Sequence, residues 1–259
     1  MSVRLISRLD VKMQHLIKGV QMEGWRKVGD PEIRAEKYYH EGADEILYID
    51  VVASLYQRNN LHDIVKKVAS KTFVPITVGG GIADISTATS LMEVGADKLA
   101  VNTAATKRPK FLSELSDHFG TQAVVLNIEA KKLPSGGWTV MTDNGRNHTG
   151  RDAIEWAMEA CTFGVGEILV SSIDMDGSRN GMDLSLISAI SQKVSVPIIG
   201  SGGCGSLLDA CDALKAGADA VAIGAALHMD EISLTGLRSD LRERGYVLRP
   251  IPRKFAKNG

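Results

Sequence analysis

The stretch GADEIL at 42–47 recurs 122 residues later as GVGEIL at 164–169, and this repeat decides the fold. Further motifs keep the same offset without a gap: VPI at 74–76 with 196–198, GGG at 79–81 with SGG at 201–203, and GAD at 95–97 with 217–219. One more match, LDVK at 9–12 with IEAK at 128–131, lies at an offset of 119. Motifs that stay in register in this way indicate two copies of one half-domain.

Each copy has the pattern of strands alternating with helices. Short apolar runs bounded by Gly, Pro or Asp predict strands, and longer periodic stretches predict helices. The predicted strands are 4–9, 45–49, 75–78, 98–101, 123–128, 167–171, 197–200 and 220–223. The predicted helices include 31–41, 61–69, 85–94, 153–163, 184–192 and 207–216.

This pattern predicts an α/β protein, a single closed (β/α)8 TIM barrel made of two repeated (β/α)4 halves. An open doubly wound sheet would have Gly-x-Gly-x-x-Gly after its first strand, where this sequence has LDVK at 9–12. We expect one domain over 1–259, with half-barrels at about 1–121 and 122–245 and a tail at 246–259. The basic end of that tail, 249–259, is expected to be solvated.

Composition limits the classes of function. Lys and Arg number 30 against 31 Asp and Glu, which argues against a strongly basic surface for nucleic acid. The three cysteines, Cys161, Cys204 and Cys211, lack metal-ligand spacing, so we expect a protein of the reducing cytoplasm. No apolar run approaches the length of a membrane span, so no membrane partner is expected.

Two carboxylates occupy equivalent places in the two halves. Asp10 follows the first predicted strand and Glu129 follows the fifth. Active sites of such barrels lie at the carboxyl ends of the strands, so the twofold repeat places these residues on opposite sides of one mouth. We predict that they are the catalytic acid and base. The alternative is that each only caps a loop or pairs with a neighbouring lysine, Lys12 or Lys131.

Glycine-rich turns follow the third, fourth, seventh and eighth predicted strands. Bare backbone N–H groups at such turns attract phosphate. The repeat therefore predicts two symmetric phosphate sites and a substrate with a phosphate at each end; the alternative is that these glycines serve only tight turns. The predicted contacts are Gly80, Gly81, Asn102, Thr103, Ser201, Gly202, Gly203, Gly224 and Ala225.

Other polar residues are predicted around the same mouth. Asp50, Ser171, Asp176 and Gly177 are expected to contact substrate hydroxyl or amine groups, and Lys18 is expected to close over the substrate from a long mobile loop. The acids near 174–176 lack the spacing of a calcium loop, so neither a metal nor another cofactor is expected. A hairpin within 133–150 is either a lid or an insertion without a role, and we favour the insertion.

The strand starts carry charges of both signs at the opposite face. Arg4, Glu45, Lys98 and Glu167 are expected to pair in a ring that closes the barrel floor. From these residues alone, a stabilising cluster of salt bridges is the preferred interpretation.

The chain resembles the cyclase subunit of imidazole glycerol phosphate synthase, the HisF family, over about 4–245. The motifs that carry the resemblance are LDV at 9–11, KG at 18–19, GDP at 29–31, TVGGGI at 77–82, GADK at 95–98, NTA at 102–104, GEIL at 166–169, SID at 172–174, DG at 176–177 and SGG at 201–203.

The resemblance implies a lyase of histidine biosynthesis with a glutaminase (HisH-like) partner docked on the floor. Ammonia from that partner would cross the ring, which then acts as an ammonia gate, and would run up the barrel. At the mouth it would cleave a bis-phosphorylated ribulosyl-formimino aminoimidazole carboxamide ribotide. The products would be imidazole glycerol phosphate and an aminoimidazole carboxamide ribotide.

The sequence departs from the family pattern at the catalytic positions. The family has aspartate where this chain has Glu129, and a methylene of difference moves the carboxylate by about 1 Å, a shift that can cost on the order of 100-fold in rate. The family has Ala-Cys where this chain has Ser7 and Arg8. These departures resemble an offshoot thought to supply ammonia to a sugar amidotransferase in surface-polysaccharide synthesis, which is the alternative function. A sugar-phosphate isomerase barrel is a third hypothesis.

Overall fold

The computed structural model describes residues 2–53 and 61–251. Its centre is a closed ring of eight parallel strands, in which each strand pairs with the next and the last pairs with the first. In order around the ring these strands are β1 (Arg4–Lys12), β4 (Glu45–Asp50), β5 (Ile76–Gly79), β6 (Lys98–Val101), β7 (Val124–Lys132), β10 (Glu167–Ser172), β11 (Ile198–Ser201) and β12 (Ala220–Ile223). The predicted (β/α)8 barrel is confirmed.

Helices cover the outside of this ring. In the described part of the chain they are α1 (Pro31–His40), α2 (Leu61–Ala69), α3 (Ile85–Glu93), α4 (Thr103–Lys107), α5 (Lys110–Phe119), α6 (Ala153–Cys161), α7 (Leu184–Ser191), α8 (Leu207–Lys215), α9 (Ala225–His228) and α10 (Leu234–Glu243). Several begin at a side chain that accepts a hydrogen bond from the first turn, as Asp30 does for α1 and Ser206 for α8. Such caps satisfy N–H groups that have no partner within the helix.

The repeated GAD motif has the same structural task in each copy. Asp97 accepts a hydrogen bond from the Ile76 backbone N–H at 2.8 Å, and Asp219 accepts one from Ile198 at 2.9 Å. Each aspartate thus joins the start of one barrel strand to the loop before the next. A buried backbone donor needs such a partner, which explains why the acid recurs at this place.

Two antiparallel hairpins extend the barrel at its mouth. β2 (His15–Val20) and β3 (Glu23–Gly29) continue from β1, while β8 (Trp138–Thr142) and β9 (Asn147–Asp152) continue from β7. β1 and β7 therefore end at Lys12 and Lys132, beyond the predicted ends at 9 and 128. The long mobile loop predicted around Lys18 is wrong, since Lys18 lies within β2 and is buried.

Apolar packing divides into an inner and an outer layer. A small cluster inside the ring includes Ile6, Leu47, Val125, Leu169 and Ile199. A larger cluster fills the space between strands and helices. Burial of this outer layer supplies most of the driving force for folding.

The end of the described chain packs against the barrel floor. Leu248 is buried and pairs with Val3, and the Arg249 side chain bonds to Asp44 at 3.1 Å. The expectation that 249–259 is solvated is therefore wrong for Arg249, because a buried carboxylate needs cationic partners. The other basic residues of that tail, Arg253, Lys254 and Lys257, lie outside the described residues.

Asp44 is the centre of a buried ion cluster that can be tested by mutation. It accepts bonds from Arg238 at 2.7 Å, from Arg249, and from the Leu5 backbone N–H at 2.9 Å. Because Asp44→Ala leaves the Arg238 guanidinium buried without its carboxylate, we expect the free energy of unfolding to fall by about 3–5 kcal/mol in urea denaturation. The matched control Asp212→Ala removes a carboxylate from an exposed pair and should change it by at most about 0.5 kcal/mol. A loss in Asp44→Ala no larger than in the control would contradict this account.

Candidate active site

Asp10 and Glu129 lie at the carboxyl ends of β1 and β7, on opposite sides of the barrel mouth. These strands are four apart whichever way the ring of eight is followed. The alternative that each only pairs with a nearby lysine does not describe the contacts. Lys12 lies over the Trp25 ring, with its Nζ 5.6 Å from the ring centroid, and Lys131 pairs with Asp174 at 3.6 Å.

Asp10 is held between two buried cations. Its Oδ1 accepts a bond from Arg8 Nε at 2.9 Å, and its Oδ2 accepts one from Lys18 Nζ at 2.7 Å. Lys18 also donates to Asp176 at 2.8 Å. Burial by itself would raise the pKa of Asp10, but the charges of Arg8 and Lys18 outweigh burial and hold that pKa well below its usual range. Asp10 is therefore ionised throughout the physiological pH range.

Glu129 has a different environment from its counterpart. Burial raises the pKa of Glu129 to about 7, and a bond from the Gly145 N–H to Oε2 at 2.9 Å opposes the rise only in part. A carboxyl group with such a pKa can both hold and release a proton near neutral pH. The two carboxylates therefore have different electrostatic environments although the repeat makes them equivalent.

A cavity of about 550 Å³ opens beside Glu129, on the β4 to β7 side of the mouth. It contains one group of predicted contacts: Asp50, Gly80, Gly81, Asn102 and Thr103. Gly80 and Gly81 have positive φ angles, and a Cβ on Gly80 would lie 2.2 Å from the Asp50 carbonyl oxygen. Only glycine fits this turn, and it leaves the backbone accessible from the cavity.

The equivalent place on the other side of the mouth is nearly full. Its lining contains the second group of predicted contacts: Lys18, Asp176, Gly177, Ser201, Gly202, Gly203, Gly224 and Ala225. Arg8 and Lys18 occupy this region and leave about 20 Å³, close to the room that one water molecule needs. The prediction of two symmetric sites is therefore wrong for the shape of the second.

The hairpin at 133–150, predicted as an insertion without a role, belongs to the site. Its turn supplies the Gly145 N–H that bonds Glu129, and Asn144 lines the cavity. The Asn144 side chain also reaches the Met22 carbonyl at 3.5 Å, so the two hairpins meet above the mouth. Pairing of β8 with the end of β7 brings this turn back over Glu129.

Sequence reasoning noted Arg8 only as a departure from the family and missed Asn127. Arg8 Nη1 donates to Ser171 Oγ at 2.8 Å and to Ser201 Oγ at 3.0 Å, and Ser171 Oγ donates to Asn127 Oδ1 at 3.3 Å. Ser171 thus contacts Arg8 and is not among the residues that line either pocket. One signal was present: both residues stand two positions before a carboxylate, and side chains two apart on a strand share one face.

The four charged residues of the floor form the predicted ring. Glu45 accepts bonds from Arg4 at 3.2 Å and from Lys98 at 2.9 Å, and Glu167 accepts from the same two cations at 2.8 Å each. Thr77 donates a further bond to Glu45 at 2.6 Å. Each carboxylate is thus shared by two cations, and the ring spans the barrel interior at the amino ends of its strands.

Among the described residues, no cluster of three or more His, Cys, Asp or Glu side chains could hold a metal ion. Asp174, one of the acids near 174–176, accepts a bond from the Lys132 backbone N–H at 2.8 Å. None of the described helices is long and apolar enough to span a bilayer.

Comparison with known proteins shows which family this barrel resembles. The family model described as histidine biosynthesis protein matches residues 4–233. The chain is 56% identical over 206 residues to an imidazole glycerol phosphate synthase subunit HisF of Legionella pneumophila, covering 80% of this chain and 97% of the relative. It is 41% identical to proteins of the same name from Streptomyces griseus subsp. griseus, over 249 residues, and from Nocardia farcinica, over 254 residues. Each of these two matches covers 96% of this chain and 99% of the relative.

The family match covers the whole ring of strands, and the similarity extends across both hairpins and both carboxylates. The chain therefore belongs to the histidine biosynthesis protein family, and within it to the HisF subunits of imidazole glycerol phosphate synthase.

Proposed function

We propose that this chain is the ammonia-dependent cyclase, a lyase, of an imidazole glycerol phosphate synthase. Its substrates are ammonia and the bis-phosphorylated ribulosyl-formimino aminoimidazole carboxamide ribotide, and its products are imidazole glycerol phosphate and aminoimidazole carboxamide ribotide. The observation that carries the proposal is the pair of carboxylates facing each other across one mouth, one bonded to two cations and the other lining an open cavity. The names of the relatives support the reaction and give no support to the sugar-amidation alternative.

Glu129 is the residue we assign to proton transfer. Attack by neutral ammonia creates a positively charged nitrogen that must lose a proton, and the bond that breaks needs a proton on its leaving nitrogen. One group with a pKa of about 7 can accept the first proton and supply the second. Its place on the wall of the open cavity gives it access to a bound substrate.

Asp10 has the complementary task of a fixed anion. Because both of its oxygens accept bonds from cations, it remains charged and oriented while the reaction proceeds. A preorganised charge of this kind stabilises positive charge as it develops in a transition state. Asp10 therefore stabilises the nitrogen cation without exchanging a proton itself.

The two phosphates of the substrate are assigned to the two glycine-rich turns. The first binds in the open cavity, against the backbone at Gly80 and Gly81 and near Asn102 and Thr103. The second binds at Gly202 and Gly203, where the free space is too small for a phosphate, so side chains that line this place must shift to admit it. Asp50, Asp176, Gly177, Ser171 and Ser201 remain proposed contacts to the substrate between these ends, with Gly224 and Ala225 beside the second phosphate.

The floor is the side we assign to the glutaminase (HisH-like) subunit. The ring of Arg4, Glu45, Lys98 and Glu167 separates that face from the apolar interior of the barrel. Ammonia made by the partner would pass this ring, which acts as the gate, and travel between the inner apolar side chains to Glu129. A neutral molecule can cross such an apolar interior more readily than an ion can.

The catalytic assignment is tested by turnover of the synthetic ribotide with ammonium as the nitrogen source. Glu129→Gln removes the proton carrier and should lower kcat by at least about 100-fold. Asp10→Asn should also abolish most turnover, because it removes the fixed anion. With free ammonia held constant, the wild-type rate should rise with pH through about 7, since the ionised form of Glu129 accepts the proton. Variants that keep wild-type turnover, or a rate that does not change near pH 7, would contradict the assignment.

The gate is tested by comparing two nitrogen sources in the complex with a HisH-type glutaminase. Lys98→Met breaks the bonds from Lys98 to Glu45 and Glu167, so it should raise the amount of glutamine hydrolysed per product formed. Turnover with external ammonium, which enters at the mouth, should stay at the wild-type level. The control Lys215→Met removes an exposed cation that pairs with Asp212 and not with the ring, and should alter neither rate. A Lys98→Met complex with unchanged coupling would refute the gate.

A further inference from the structure

Arg8 and Asn127 are equivalent residues of the two halves. The offset of 119 that aligns Asp10 with Glu129 also aligns Arg8 with Asn127. Each stands two positions before its carboxylate on the same barrel strand, so each points to the same side of the strand as that carboxylate. Arg8 is 3% exposed and Asn127 is 4% exposed. The repeat thus places a buried cation beside one carboxylate and a buried neutral amide beside the other.

The two residues are joined across the width of the barrel. Arg8 on β1 donates to Ser171 on β10, and Ser171 donates to Asn127 on β7, the strand opposite β1. A further bond from Arg8 to Ser201 on β11 anchors the guanidinium on the strand beside β10. This chain of bonds fixes the charge on the Asp10 side of the mouth and turns the neutral amide toward the open cavity.

The groups around Asp10 either favour its ionised form or are separated from it by its two cations. Arg8 and Lys18 each bond one of its oxygens. Asp176 faces it from beyond β10 but is itself bonded to Lys18. His228 of α9 lies on the same side, with its Nδ1 bonded to Tyr38 at 2.8 Å. Asp10 therefore has no oxygen without a cation beside it.

The groups around Glu129 give it no such cation. It accepts a bond from the Gly145 N–H, and Asn102 and Asn127 are its uncharged neighbours in the cavity lining. The charged groups that face it are Arg8 across the barrel, whose effect favours the ionised form, and Asp143 of the second hairpin, whose effect opposes it. Besides Glu129, the charged residues that line the same cavity are Asp50, Asp84 and Lys107.

We propose that Arg8 and Asn127 are positioning residues that give two equivalent carboxylates different roles. Arg8 makes Asp10 a permanent anion, and Asn127 leaves Glu129 free to exchange a proton. The repeat alone would give the two carboxylates the same environment. The charge at position 8, with no charge at position 127, acts with the Lys18 bond to Asp10 to remove that symmetry. The catalytic meaning rests on the proposed function, but the difference in titration does not.

The test adds a charge at position 127 in one variant and removes the charge at position 8 in another. The carboxyl groups are followed by carbon-13 NMR during a pH titration, without substrate. Asn127→Lys places a cation next to Glu129, where the open cavity has room for it, and should lower the titration midpoint of Glu129 from near 7 by about one to three pH units. Arg8→Asn should raise the midpoint of Asp10, while Arg8→Lys should preserve the wild-type behaviour. Resonances are assigned from Asp10→Asn and Glu129→Gln.

Two control variants distinguish the effect of a changed charge from the effect of a changed structure. Asn127→Gln keeps position 127 neutral and should leave the Glu129 midpoint in place. Ser201→Ala removes one anchor of Arg8 but keeps its charge beside Asp10, and should leave Asp10 ionised. If Arg8→Asn does not fold, the Asn127→Lys titration still decides, because it adds a charge without removing one from the barrel interior.

The proposal is overturned if Glu129 titrates at the same pH in Asn127→Lys as in Asn127→Gln. It is also overturned if folded Arg8→Asn keeps Asp10 as acidic as in the wild type. When ribotide turnover is measured, the pH–rate profile of Asn127→Lys should move to lower pH by the shift seen for Glu129. If the chain shows the expected titrations but no ribotide turnover, the proposed function is refuted. The different titration of Asp10 and Glu129 is then still supported.

Discussion

The pairing of charge inside a closed barrel is the constraint on which the rest of this structure depends. A ring of eight strands encloses its interior, so an inward-pointing charged side chain needs a partner of opposite charge within the barrel or at its ends. At the floor, two cations and two carboxylates satisfy one another completely. At the mouth, Arg8, Lys18, Asp10 and Asp176 do so on one side only. Glu129, on the other side, is the carboxylate that this network leaves without a cation.

This unequal pairing gives the two sides of the mouth different shapes as well as different charges. The side that holds the ion network is nearly closed, with about 20 Å³ free, while the Glu129 side opens into about 550 Å³. The longer side chain of Glu129 fits this arrangement, because its bond to Gly145 depends on a hairpin turn that lies above the cavity. Substrate entry and proton transfer are thereby assigned to the same side, and the fixed negative charge is assigned to the other.

Much of the fold could be predicted because its local signals agree with its global pattern. The bounds of β6, β12 and α2 coincide with the prediction, and for β6 and β12 a Gly-Ala-Asp motif directly before the strand marks where it begins. The ends of β1 and β7 could not be predicted, because antiparallel partners extend them. The β2–β3 hairpin was missed since its turn uses Gln21 and Met22 at positive φ, where glycine or asparagine is the usual signal.

The repeat in the sequence predicted the positions of the two carboxylates of the site. It did not predict which residues surround each of them. Arg8 reaches Ser171 and Ser201 across sequence separations of 163 and 193 residues, and no local pattern encodes such contacts. The difference in free space between the two predicted phosphate sites could not be predicted for the same reason: the backbone turns repeat, but the side chains that fill the second one do not. A repeated sequence thus predicts where catalytic groups stand, and the residues that differ between the copies decide what each group does.

The central claim is that this chain transfers nitrogen from ammonia into the imidazole ring of its product. The most direct measurement is mass spectrometry of the imidazole glycerol phosphate formed when the purified chain, without a glutaminase, is given the synthetic ribotide and nitrogen-15 ammonium. The account predicts product that carries one heavy nitrogen. Unchanged ribotide in the presence of correctly folded protein would contradict it.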